Sequence, residues 1–113
     1  MAKTSHELAI EFAVEITELS SKIKGRPEYT KQLIRSASSI SANIAEAKYA
    51  GGKKDFCHKL RISLKEINEV EFWLESLYMA GSITQREYSS MRSDAIAIRR
   101  MLSASIRKLE SKD

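Results

Sequence analysis

The chain has 113 residues, 42% apolar and 30% charged, with a formal net charge of +4 and a single cysteine. That size and balance point to one domain with a modest core and exclude a disordered chain. One cysteine excludes an internal disulfide, no apolar run nears the roughly 18 residues of a membrane span, and the opening MAKTSHELAIEFAVEI lacks the pattern of a signal peptide, so the expected compartment is the reducing cytoplasm, with no membrane contact.

Pro27 is the only proline and there are four glycines, so long uninterrupted elements are expected. Apolar residues recur at alternating steps of three and four, the spacing of amphipathic helices, and no strand alternation competes. The first helix is expected over about residues 4–24. Thr4 and Glu7 have capping-box spacing, and Leu8, Phe12, Ile16, Leu19 and Ile23 form the stripe. Gly25 is a natural stop, and Pro27 suits the first turn of the next helix. The second helix, 27–50, turns Leu33, Ala37, Ile40, Ile44 and Ala47 inward and breaks at Gly51-Gly52. The third, 53–80, carries Phe56, Leu60, Ser63, Ile67, Val70, Leu74 and Leu77 and stops at Gly81. The fourth, 85–110, opens on a second capping-box pair, Thr84 and Glu87. Its stripe is Tyr88, Met91, Ala95, Ile98, Leu102, Ser105 and Leu109. Short connections force neighbouring helices antiparallel. The expected fold is therefore all-α, an antiparallel up-down-up-down four-helix bundle, with residues 1–113 as one domain.

The second helix has unusual flanks. Its run SASSISANIAEA, residues 36–47, threads serines and an asparagine among isoleucines. One flank of the core stripe is Ile34, Ser38, Ser41 and Ala45; the other is Ser36, Ser39, Asn43 and Glu46. Small residues let helix axes approach closely, and serine hydroxyls can bond backbone carbonyls. Close packing inside the bundle, a contact between subunits, and a serine-based active site are three readings of these flanks. The last lacks a nucleophile elbow or a histidine placed nearby by sequence. Asn43 and Glu46 form either a solvated face or a half-buried polar cluster near Arg35, Arg61 or Glu69, which would fix helix register. Ser39, Ser41, Asn43, Glu46 and Glu69 are the candidate polar interface residues.

The stretch QLIRSASSISANIAEA, followed by KKDFCHKLRISLKEINEVEFWLESLY, resembles the bacterial four-helix-bundle proteins related to the 23S rRNA intervening-sequence protein. The residues that carry the resemblance are Ser39, Ile40, Asn43, Ile44, Ala45 and Glu46, then Phe56 and Glu69. Ala47 and Ala50 stand where many members have Gly and Arg, and Lys53 and Lys54 are the nearby cations that could substitute for that arginine. The resemblance implies a four-helix bundle and a homo-oligomer, with a pentameric ring favoured. It implies no enzymatic activity. The family is also distantly similar to the accessory protein of diversity-generating retroelements, a basic pentamer, which makes RNA or DNA and a protein the two classes of partner to consider.

Charge is unevenly spread. Glu7, Glu11, Glu15 and Glu18 line one face of the first helix. Lys22, Lys24, Arg26, Lys31 and Arg35 surround the first turn, Lys48, Lys53, Lys54, Lys59, Arg61 and Lys65 the second break, and Arg99, Arg100, Arg107, Lys108 and Lys112 the end of the chain. In an up-down bundle the second and third groups meet at one end. Lys48, Lys53, Lys54, Lys59, Arg61, Arg107 and Lys108 are the candidate contacts to phosphate backbone, bound without reading sequence. The alternative is that they are solvated helix faces. Tyr49, beside Lys48, offers one ring for stacking.

Chemistry for catalysis is not expected. His6 and His58 are the only histidines. Cys57 and His58 are adjacent, so a helix points them about 100° apart rather than at one metal. There is no Glu-x-x-His spacing, phosphate loop or dinucleotide fingerprint. No cofactor, metal site or enzymatic activity is expected, and Phe72, Trp73 and Tyr78 are assigned to core or interface packing.

Overall fold

Both capping boxes form. Glu7 N–H donates to the Thr4 hydroxyl at 3.1 Å and Thr4 N–H returns to the Glu7 carboxylate at 3.0 Å. Thr84 and Glu87 repeat the exchange at 2.8 and 3.1 Å. In the computed structural model, which describes residues 2–111, these caps open the first and last of four helices. The helices are α1 (Ser5–Ser21), α2 (Pro27–Ala47), α3 (Lys53–Met79) and α4 (Gln85–Glu110).

Two helices end three residues earlier than the stripes suggest. Beyond Ser21 and Ala47 the backbone ladder tightens from i+4 to i+3 bonds, Ile23 N–H to Ser20 and Ala50 N–H to Ala47, and the α-helix stops there. α3 ends at Gly81 as expected. Ser82 N–H reaches back to the Leu77 carbonyl and Gly81 N–H to Tyr78, with Gly81 at φ 75°, a Schellman stop that needs a left-handed residue.

The helices form a square rod of 48 × 24 × 23 Å, α1 against α2, α2 against α3, α3 against α4, and α4 back against α1. Arg35 meets Glu66 and Glu69, while Glu46 meets Lys59, so rising numbers on α2 face falling numbers on α3. Glu71 with Arg99 and Arg61 with Glu110 repeat that antiparallel order on the next seam.

Phe12, Ile16, Leu33, Ile40, Ile67, Leu74, Leu77, Ile98 and Leu102 fill the centre. Two register details differ from expectation. Cys57 is buried at the start of α3 and Phe56 is half-buried, because three residues back from Leu60 points inward more fully than four. Near the end of α4, Ile106 is buried while Ser105 turns to solvent and donates to the Met101 carbonyl. Ile83, in no helical stripe, is buried from the α3–α4 connection.

The serines of α2 divide by flank. Ser36 is fully buried and donates to the Gln32 carbonyl at 2.8 Å. On α3, one turn further along the seam, buried Ser63 donates to the Ile40 carbonyl at 2.9 Å. These self-satisfied small residues let α2 and α3 share the most extensive packing in the bundle. Ser38 and Ser41 lie on the other flank, in a shallow groove with Ile10, Val14 and Thr17 of α1.

Candidate nucleic-acid interface and polar seams

The polar centre of the α2–α3 seam is Arg35. Its guanidinium holds Glu66 at 3.1 Å, pairs with Glu69, and donates to the Gln32 side chain at 3.1 Å. Glu66 is buried, so this carboxylate depends on its cation. The Arg35 hydrogen bond, helped by the Trp73 ring N–H at 3.4 Å, holds the Glu69 carboxyl below its ordinary range. Glu69 is therefore where the polar cluster forms.

Asn43 and Glu46 do not join it. The Asn43 amide bonds the Ser39 carbonyl at 2.8 Å and the Ser39 hydroxyl at 3.2 Å, within its own helix. Glu46 bridges to Lys59 at 3.0 Å, and that bond raises the Lys59 pKa. Ser41 donates to the Ser38 carbonyl at 3.0 Å. Arg61 pairs across the rod with Glu110. Sequence reasoning did not single out Glu66; its only signal was an acidic residue one position before Ile67 in the core stripe.

The basic candidates gather at the end where α2 stops, α3 starts and α4 finishes. Lys53, Lys54, Arg61 and Glu110 line one crevice there. The Thr4 cap holds the Glu7 carboxyl below its ordinary range, with smaller help from Lys3 and then from Lys48. Two of the candidates, Lys59 and Arg61, are neutralised by their ion pairs. Lys48, Lys54, Arg107 and Lys108 are exposed, and none of the ion pairs among the described residues engages them. Tyr49 stands 89% exposed next to them. Lys112 lies outside the described residues.

At the α1–α4 seam the chemistry is reversed. Leu8, Phe12 and Ile98 floor a crevice whose rim carries Glu11, Glu15 and Asp94. Partial desolvation there, and after it the facing Asp94, push the Glu15 carboxyl above its ordinary range. Among the described residues no group of three or more His, Cys, Asp or Glu is placed to hold a metal ion. No helix there is long and apolar enough to cross a membrane.

A crystal structure from Bacteroides thetaiotaomicron VPI-5482, of a protein with unknown function from the S23 ribosomal protein family, is 39% identical in sequence. It superposes with a TM-score of 0.85, over 91% of this chain and 98% of that one. No curated protein matches the chain. The sequence model of the 23S rRNA-intervening sequence proteins fits residues 4–104, from the Thr4 cap through most of α4. With that match running through all four helices, the chain belongs to the 23S rRNA-intervening sequence protein family.

Proposed function

We propose that the protein is a non-enzymatic, oligomeric, cytoplasmic bundle that holds nucleic-acid backbone weakly and without sequence preference, as an accessory to another protein. The observation that supports this is the exposed quartet of Lys48, Lys54, Arg107 and Lys108 at one end of the rod, outside every ion pair among the described residues. The three lysine ammoniums, point charges on flexible stems, meet phosphates without the geometry that reads base edges. Lys54 also sits in the first turn of α3, at the positive end of that helix dipole, where a cation is unfavourable until an anion arrives. A ring of copies, a pentamer in this reading, would repeat the quartet about an axis and multiply a weak contact.

The test is the electrophoretic mobility of labelled RNA and duplex DNA at about 50 and 200 mM salt, the range in which phosphate contacts weaken steeply. Retardation that collapses at the higher salt, and that Lys48→Glu with Lys54→Glu removes, is the expected result. No shift at the lower salt removes nucleic acid from the reading. A protein-interaction scaffold then takes its place. That second reading is favoured by the groove on α1 and α2, where Ile10 and Val14 are 44% and 52% exposed.

A further inference from the structure

The opposite end of the rod carries a different surface. There Arg26, Tyr29, Trp73 and Phe72 make one continuous run of flat groups from the α1–α2 turn onto the outer face of α3. The Arg26 guanidinium lies 6.0 Å from the centre of the Tyr29 ring. Tyr29 meets Trp73 with centroids 5.5 Å apart, and Trp73 meets Phe72 edge-on at 4.8 Å. The indole is anchored, since its N–H reaches the Glu69 carboxylate that Arg35 also holds. Phe72, at the far end, is 59% exposed.

The turn beside this run is cationic. Lys22, Lys24 and Arg26 fall within five residues, all exposed, and none takes part in an ion pair among the described residues. On the Phe72 side, Lys65 of α3 is likewise exposed and outside those pairs. Glu69, which accepts from the indole, and Glu66 are already held by Arg35. Glu71, beside Phe72, is held by Arg92 and Arg99, and Glu28 and Glu75 are exposed.

We infer that this end is a contact for single-stranded nucleic acid, with a base stacking on the face of Phe72, which Trp73 braces, while Arg26, Lys22 and Lys24 take the phosphates. An exposed ring braced edge-on by an anchored one offers a face that any base can cover. A duplex cannot use it, because its bases are already stacked on one another. The site stands apart from the backbone contact proposed above, at the other end of a 48 Å rod.

Trp73 is the chain's one tryptophan, so its fluorescence reports on this end alone. Oligothymidylate and a hairpin duplex of equal length would be titrated at low salt. Saturable quenching by the single strand, with the duplex about tenfold weaker, is expected. Phe72→Ala should weaken the single strand by about tenfold while leaving the melting temperature unchanged, as Phe72 is exposed. Arg26→Glu should weaken it as well, and Lys48→Glu with Lys54→Glu should leave the quenching intact. Equal quenching by both nucleic acids, or none, overturns the inference, and duplex retardation that persists in the mobility assay would show that the backbone reading survives without it. A Phe72→Ala chain whose mass in solution falls, with quenching unchanged, also overturns it and assigns the ring to a contact between copies.

Discussion

The Ser63 hydroxyl donates across the α2–α3 seam to the Ile40 carbonyl, 2.9 Å away, and both residues are fully buried. A helix carbonyl ordinarily serves only its own ladder, so this bond ties an α3 side chain to the α2 backbone within the most extensive seam of the bundle. Ser63→Ala should cost about 1 kcal/mol, the worth of one intramolecular hydrogen bond. Ser63→Leu should cost about 1–3 kcal/mol, because the seam has no room for it. Urea unfolding of both variants checks this, and a Leu variant as stable as the parent would refute the close seam.

Arg35 holds two carboxylates, one of them buried. Arg35→Ala leaves Glu66 charged and unaccompanied, and about 3 kcal/mol should be lost. Arg35→Met combined with Glu66→Met should be less destabilised than Arg35→Met alone, because the stranded charge goes with its partner. A double-mutant cycle by thermal melting gives the coupling directly. Additive losses would mean that the two side chains act independently.

The pH response has opposed contributions, with Glu15 on one side and Glu69 and Glu7 on the other. Glu15 is raised, so the native chain holds its proton more tightly than the unfolded one. Stability from this group is greatest below the ordinary carboxylate value and falls as pH rises through the raised one. Glu69 is lowered, so its contribution is present above the ordinary value and is lost as pH falls through the lowered one. Glu15→Gln should accordingly raise stability at pH 7 by about 0.3 kcal/mol, the scale of an exposed like-charge contact. Its benefit should vanish near pH 4. Melting temperatures from pH 4 to 8 would show it, and a variant less stable than the parent at pH 7 would contradict the carboxylate pairing with Asp94.

Asn43 bonds only within α2, to Ser39. In a single bundle Asn43→Ala exchanges that bond for better helix propensity, and stability should change by less than about 0.5 kcal/mol. Light scattering alongside the melt separates two roles. A lower mass at unchanged melting would put Asn43 at a contact between copies, whereas a large fall in melting would show that its amide supports the bundle itself.

Much of the architecture was readable because it rests on local rules. The stripes set which face each helix buries, Thr4 and Thr84 marked starts, and Gly81 marked a stop. What escaped was set by neighbours in space. Whether Phe56 or Cys57 points inward, and Ser105 or Ile106, depends on a rotation of a few tens of degrees that a mixed three-and-four spacing does not fix. Ile83 belongs to a turn, so no period announced it. The cluster around Arg35 was legible only in part. Glu69 was among the expected members of a polar cluster, but Glu66 gains its meaning from a cation 31 positions away. The seven cations of one end could be gathered from topology, but their division into paired and unpaired could not, because Glu46 and Glu110 reach Lys59 and Arg61 from other helices.

The ion pairs themselves are distributed unequally. α3 is clasped to α2 and to α4 by charge, yet among the described residues no ion pair joins α1 to another helix, and its seam with α4 opposes two acids. Among the described residues, apolar burial is what chiefly holds α1. In amide hydrogen exchange it should therefore be the first segment to lose protection, as a subglobal opening below the free energy of full unfolding. Added sulfate, which strengthens apolar burial while screening ion pairs, should slow exchange in α1 more than in the three clasped helices.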